Sequence, residues 1–561
     1  MDEIEPHVLV LTGGLLSLNE KSIVQAFKKT ALQNRASKSA WFEHRMKLLG
    51  AEPIFKSRLE AFRYSLINQS RWKTVKKFVR SSGQAYPPEL SEVVLATALK
   101  AEGLRFTCLT YSELLADPSY AEKVLKSVTC IFASSTFLRD QSELEPLMKL
   151  VKRPHIKVIV GGALASILKK GWAGDPNIDV LAVGYGESLV PVLAAWIRSE
   201  FSDFTIPDGA TLESTSHTKI LIAPHPTGSD LDSLPTPDWR LPEIYRNTKF
   251  PFIHYESVRG CPYRCAFCNY PYLFNDKKFR YKSAKKIADD WTMYATELGV
   301  TKIQCLDSLF TMPKPRLVEL CNELIARKLD LKWICYARAD DLADEAIVKL
   351  MKDAGAIQVQ IGVESGDAGQ LKRMAKSTTV SDNIAAIENC RKYGITSIVS
   401  LIVGFPGETT DSLEATYQIM KAARPDFHFI ATFSVRVPGV PILSEKSRKE
   451  HGLWTMENSH TVSPYWHHDT MSCGDVSMHA SRLNHRLQKE KISLDASVFF
   501  HGLLDYERED RNTLLDFQER TATSYPLVSS AFRIADKWME KNLKSDLKQQ
   551  MTEVRSSLVE A

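Results

Sequence analysis

No stretch of this 561-residue chain is apolar for long enough to cross a bilayer. The longest such run, Ser397–Phe405, falls far short of the roughly 20 residues a spanning helix needs. A long Lys/Arg block is also missing, as is any basic stripe interleaved with aromatics. A formal net charge of +5 is small for this length, so nucleic acid is not an expected partner. Met1–Pro6 is acidic and unlike a targeting leader. Cysteine is scarce, with ten residues, and most, such as Cys305, Cys321, Cys335 and Cys390, sit in apolar periodic segments as small core residues. That argues against a disulfide framework and leads us to expect a reducing cytoplasm. No G-x-G-x-x-G follows the first strand-like run, which argues against a dinucleotide.

What is present is ordinary globular material, 44% hydrophobic and 25% charged, enough for about three or four domains of usual size. His7–Gly14 reads as a buried parallel strand ending in glycines, followed by a basic, helix-rich insertion over about 20–82. The pattern then resumes with a helix over Pro88–Gly103, strands over Arg105–Thr110, Val128–Ser134 and Lys157–Val160, and a helix over Ser188–Arg198. This alternation predicts a Rossmann-like, doubly wound α/β domain over 1–205. The stretch 206–246 is rich in Pro, Asp, Ser and Thr and is read as a linker. Over 247–440 a second α/β repeat has strands at Phe252–Val258, Lys302–Leu306, Lys332–Ala337, Ile357–Val363, Ser397–Val403 and Phe427–Phe433. Six units are too few for a closed eight-stranded barrel, so an open, partial (β/α)6 barrel is expected. The remainder, 441–561, is read as a mostly helical domain, with an irregular stretch carrying His451, His460, His467 and His468 and a solvated amphipathic tail over Lys537–Glu560.

The loop after the first strand of the second repeat holds Cys261, Cys265 and Cys268 at spacing C-x3-C-x2-C. Three thiolates can hold a four-iron cluster and leave one iron open, and an open coordination position is a place for chemistry. A structural zinc site would need a fourth ligand. No second C-x2-C pair and no H-x3-5-H element follows, and His254 lies inside a strand-like run. The triplet, with aromatic Phe267 before its last cysteine, resembles the radical S-adenosylmethionine (SAM) superfamily, over roughly 251–438.

That resemblance implies a [4Fe-4S] cluster on Cys261, Cys265 and Cys268, with SAM bound at its open iron. It places Phe267 by the adenine, Asp307 as acceptor for the methionyl ammonium, and Arg338 against the SAM carboxylate in a fork geometry. It gives Glu364 the ribose hydroxyls or the ammonium, and sets Ser400 with the turn Val403–Thr409 over the adenosine. Taken singly, such residues at strand ends commonly cap helices or make turns. Their order along successive strands after the cysteine loop is what carries weight.

The first domain is similar to the cobalamin-binding domain that precedes some radical SAM enzymes. The segments that carry the likeness are Pro87–Leu90, Ser134-Ser135-Thr136 after a strand, Gly161-Gly162, and Gly184-Tyr185-Gly186-Glu187. Short side chains suit a flat macrocycle lying against strand ends, because only there does the backbone approach closely. The alternative is a plain Rossmann-like domain with tight turns. The D-x-H-x-x-G element that supplies a lower cobalt ligand in many cobalamin proteins is absent, as it is from many radical SAM relatives.

Together these likenesses imply a cobalamin-dependent radical SAM methyltransferase that moves a methyl group from SAM, by way of methylcobalamin, to a carbon of a small-molecule or peptide natural product. A variant like the tryptophan methyltransferases would work without an adenosyl radical. Alternatives are a cobalamin-binding enzyme that performs a rearrangement or cyclisation, and a cobalamin or redox sensor. An external electron donor such as a flavodoxin or ferredoxin is implied. No auxiliary-cluster motif argues for sulfur insertion. Tyr465–Met471 with Cys473 is the most reactive-looking stretch of the last domain. The 20–82 insertion could lid the cofactor, bind a peptide, or brace the domains.

Overall fold

The computed structural model describes residues 7–14, 62, 64–66, 68–79, 87–138, 140–169, 171–225, 231–242, 250, 252–273, 278–434, 437, 439–455, 466–523 and 534. Most of the 20–82 insertion, His460, Tyr465 and the tail over Lys537–Glu560 lie outside them.

β1 (His7–Thr12) is buried along its whole length, as an unbroken apolar run requires when both faces of a parallel sheet are covered. Val8 and Val10 pack with Leu99 and Leu193 of the helices Leu90–Ala101 and Gly186–Arg198. Leu9 and Leu11 face the other way, into a second and larger core. β2 (Arg105–Thr110), β3 (Cys130–Ser134), β4 (Lys157–Gly161) and β5 (Val180–Val183) run parallel to β1. β6 (Thr211–Ser214) and β7 (Lys219–Ile222) complete the sheet, in the order β2-β1-β3-β4-β5-β7-β6. Strand order reverses beside β1, the switch point at which doubly wound sheets open a crevice.

The linker expected over 206–246 is corrected here. β7 pairs parallel with β5, and β6 turns back antiparallel on β7, so residues up to Ile222 belong to the first sheet. The signal was weak because β6 is an edge strand, mostly exposed, with Leu212 as its one apolar residue. The segment beyond is packed down. Leu231 and Trp239 are buried, the Asp238 amide donates to Thr97 Oγ1 at 2.9 Å, and the Tyr294 hydroxyl donates to the Pro237 carbonyl.

The second sheet starts with β8 (Ile253–Tyr255), after which the hairpin of β9 (Val258–Arg259) and β10 (Arg280–Tyr281) frames the cysteine loop. β11 (Lys302–Cys305), β12 (Lys332–Arg338), β13 (Ala356–Glu364), β14 (Thr396–Val403) and β15 (Phe427–Thr432) follow in parallel, each after a helix. Capping boxes at Thr379/Asp382 and Thr409/Ser412 start two of those helices, and a good cap contributes about 1 kcal/mol. β16 (Trp454–Thr455) and β17 (Trp466–His467) form a small hairpin. β18 (Leu494–Asp495) joins the edge of the sheet, giving β18-β15-β14-β13-β12-β11-β8. The order has two free ends, so the barrel is open.

One continuous core links the two sheets, reaching from Leu9 and Val160 to Trp291, Val359 and Leu401. A third core forms where the insertion's helix Gln69–Val79 reaches the last domain. Phe78 lies edge-on to Phe499 and Tyr506, Tyr64 lies edge-on to Phe517, and Arg71 pairs with Asp516. Among the described residues no helix is long and apolar enough to cross a membrane.

Candidate active site

The cysteine loop is fixed at both ends by its neighbours. On its approach, Asp307 Oδ1 accepts from the amides of Ser257 and Val258 at 2.6 and 2.7 Å, and Oδ2 accepts from the Ser257 hydroxyl at 2.7 Å. Ser308 donates to the Gly260 carbonyl. Gly260 has φ +70°, and a Cβ there would lie 2.2 Å from the Lys278 carbonyl oxygen, so the turn into Cys261 requires glycine. Within the loop, the Ala266 amide donates to the Met374 carbonyl and its carbonyl accepts from the Ile442 amide.

Cys261, Cys265 and Cys268 are free and half-buried, and they lie close enough to act on one another electrostatically. Burial raises all three thiols, Cys268 to about 11, while Arg338 and Lys376 pull Cys261 and Cys265 the other way. Among the described residues no three Cys, His or carboxylate side chains already stand in metal-holding geometry. Donor identity, proximity and the nearby positive charges fit a thiolate-held cluster, and such a site gains its final geometry from the metal itself.

The expected SAM contacts gather around this loop, but several are committed to protein partners. Asp307 is a brace for the strand entering the loop. With both oxygens occupied and 1% exposure, it is not a free acceptor for an ammonium, and burial pushes it up to about 6. Arg338, at the end of β12, holds Asp340 in a fork at 2.9 and 3.1 Å, and its guanidinium lies 3.8 Å over the ring of Tyr263 in the loop. Asp340 thus stands where the carboxylate of a ligand was expected. Glu364 ends β13 at a register shift with φ +62° and pairs with buried Lys376 at 3.0 Å. Ser400 accepts from Gln360 Nε2 at 2.8 Å. Phe267 is half-buried and edge-on to Phe405. Sequence reasoning missed Tyr263, Asp340, Gln360 and Lys376. Lys376 sits between Met374 and Thr378 in a segment with no pattern that separates it from the exposed Lys372.

His254, considered above as a fourth ligand, is desolvated down to about 4, packs against Phe252, and has a buried Nδ1 without a partner. The stretch after β17 is structural. His468 stacks on Trp466, donates through Nε2 to the Gly404 carbonyl at 3.1 Å, and accepts at Nδ1 from the Met471 amide. Cys473 is buried.

A second feature lies at the carboxyl ends of β3, β4 and β5, where a cavity of about 180 Å³ opens beneath the helices Leu90–Ala101 and Gly186–Arg198. Its depth is apolar, formed by Val94, Leu95, Phe132, Ile159 and Leu193. Ser134, Thr136, Gly161, Gly162, Gly184, Gly186 and Glu187 all line it. Ser135 does not. It turns inward, and its amide and hydroxyl both donate to the Gly161 carbonyl. Gly162 has φ +97°, and a Cβ there would meet Thr136 Oγ1 at 2.7 Å, which keeps the wall close and flat. Glu256 and Arg259, from the second domain, complete the lining.

Residues 255–420 match the family model of the radical SAM superfamily. The chain is 30% identical over 217 residues, 38% of its length, to an uncharacterized methyltransferase of Pyrococcus horikoshii, spanning 46% of that relative. It is 26% identical over 396 residues, 68% of its length, to the anaerobic magnesium-protoporphyrin IX monomethyl ester cyclase of Rubrivivax gelatinosus, spanning 70% of it. Its fold is like that of the radical SAM methyltransferase TsrM from Kitasatospora setae, solved with cobalamin and a [4Fe-4S] cluster bound. There the TM-score is 0.53 and the identity 18%, covering 67% of this chain and 76% of TsrM. A radical SAM domain implies a [4Fe-4S] cluster and SAM. Residues 255–420 are thus similar to the radical SAM superfamily, and they follow a Rossmann-like sheet in a fold like that of TsrM.

Proposed function

We propose that this protein is a cobalamin-dependent radical SAM methyltransferase acting on a carbon of a small-molecule or peptide substrate, with an external low-potential electron donor and a cytoplasmic location. The observation that carries the proposal is the shared wall. The cavity of the first sheet is closed by Glu256 and Arg259, which lead directly into the cysteine loop, so two cofactors would meet across a few residues. The chemistry of the cavity's lining suits one face of a corrinoid lying against it. Its rim is glycine and small hydroxyls, its depth takes a flat apolar group, and Ser91 Oγ on its lining is buried without a partner.

When bound, the cluster and SAM supply one-electron cleavage of a carbon–sulfur bond, and the corrinoid supplies a cobalt that carries a methyl group. The chain's own residues hold and shield. Cys261, Cys265 and Cys268 would anchor the cluster, while Arg338 and Lys376 set positive charge beside the thiols and would receive a carboxylate. Glu364 would hold an ammonium or hydroxyls in exchange for Lys376, and Gln360 with Ser400 offers hydrogen bonds on one face of the sheet. Phe267 and Phe405 form an apolar wall that helps exclude water. Ser134, Thr136, Gly161, Gly162, Gly184 and Gly186 would seat the corrinoid.

The test is anaerobic reconstitution with iron, sulfide and hydroxocobalamin, then incubation with SAM and dithionite as the reductant. Stoichiometric corrinoid retention with S-adenosylhomocysteine and 5'-deoxyadenosine among the products supports the assignment. Lack of both nucleoside products overturns it. A cyclisation or rearrangement is the second reading, favoured by the likeness to the cyclase over 396 residues. Product mass separates the two, since methylation adds a methylene and rearrangement need not.

A further inference from the structure

We infer that Arg259 is a positioning residue through which the filled cavity of the first sheet is felt by the cysteine loop; this rests on the corrinoid reading of that cavity. Arg259 is the last residue of β9, followed by Gly260 and Cys261, so any shift of its backbone moves the first cysteine. Its side chain, only 6% exposed, crosses to the other domain and pairs with Glu187 in the first turn of the helix Gly186–Arg198. The same guanidinium pairs with Glu256 at 2.9 Å and lies 3.9 Å over the ring of Tyr185. Tyr185 belongs to the Gly184–Glu187 turn that lines the cavity, and Arg259 and Glu256 line it too.

The far side of the loop reports to the same place. Tyr270, two residues beyond Cys268, lies within electrostatic range of both Tyr185 and Glu256. The cysteines are thus flanked before and after by residues that face one turn of the first sheet. A ligand seated against Gly184 and Gly186 presses on that turn. A buried guanidinium held between two carboxylates, unlike a surface ion pair, has few alternative geometries, so the displacement passes to β9 instead of dissipating in a rotamer change. Ser308 and Asp307 hold the opposite side of the segment, and Glu187 with Tyr185 receives the Arg259 side chain from the first domain.

The experiment is a double comparison of hydroxocobalamin affinity, read by absorbance titration on the full-length chain with and without its reconstituted cluster. In the wild type the two dissociation constants differ by about 5-fold or more, the low end of ordinary site-to-site coupling. In Arg259→Met and in the isosteric Glu187→Gln, the ratio falls to within about 2-fold of unity, at unchanged iron content and melting temperature. Arg259→Lys keeps the charge without the fork and retains only part of the ratio. If Arg259→Met fails to fold, Glu187→Gln alone decides. A wild-type ratio of one, or a ratio that survives in Glu187→Gln, overturns the inference while the corrinoid reading stands. Failure of the wild type to bind corrinoid at all removes both.

Discussion

The two parallel sheets present their carboxyl ends in opposite chemical styles. The first ends in Ser134, Thr136, Gly161 and Gly162, short groups around a cavity whose depth is hydrocarbon. The second ends in Asp307, Arg338 and Glu364, each already bonded to another residue of the protein. One end would recognise by leaving room, the other by offering the prepaired charges of Arg338 and Glu364, which would exchange partners when a ligand arrives while Asp307 stays a brace. The difference teaches that a cofactor with a large rigid face needs space, whereas a small zwitterion needs an arranged set of charges that do not collapse while they wait.

The sharpest way to separate the two ends is the triple change Cys261→Ala, Cys265→Ala, Cys268→Ala. Iron content and SAM cleavage fall below detection, and corrinoid affinity changes by no more than the coupling factor of about 5-fold. Loss of both cofactors together would show that the ends are not distinct. The converse is Val94→Trp, which fills the cavity. Corrinoid binding weakens by about 10-fold or more, since each 1.4 kcal/mol is a decade, while iron measured by colorimetric assay is unchanged.

Lys376→Met probes the prepaired charges. It leaves buried Glu364 uncompensated and lowers stability by roughly 3–5 kcal/mol in denaturant unfolding. Adding Glu364→Gln in that background recovers much of the loss. If Lys376→Met is neutral, the second sheet's charges are not mutually held.

In the first domain the helix Leu90–Ala101 buries Glu92, whose carboxyl accepts from Thr12 and is pushed by burial from 4.5 up to about 8. Between those values the folded chain holds a proton that the unfolded chain has released. Its contribution is fully present below about pH 4.5 and is lost as pH rises through 8, by up to about 1.4 kcal/mol per unit. Glu92→Gln flattens that slope in a melting series from pH 5 to 8. The smallest effect belongs to Arg71→Ala, whose partner Asp516 is also partly exposed. It costs less than about 1 kcal/mol in the same assay.

Much of this was legible in one dimension. The unbroken apolar run of β1 and the half-buried strands of the barrel announce themselves by pattern, and Cys261, Cys265 and Cys268 by spacing. The hairpin of β6 and β7 was missed because β6, on the edge, is a mostly polar and exposed string and β7 is a run of only four residues. Asp307 was recognised as a strand-end carboxylate, but its partners lie 50 residues back at Ser257, and such long-range hydrogen bonds leave no local trace. Lys376 and Arg259 were overlooked for the same reason. Each looks like any solvated cation until the fold brings a carboxylate to it.

The helix Gln69–Val79 enters the chain near its beginning, yet Val75 and Phe78 are embedded among Phe427, Leu494, Phe499 and Phe517 near its end. That arrangement staples the polypeptide head to tail. A single cut between β7 and β8 would therefore yield two pieces that migrate apart in detergent but co-elute in a native column.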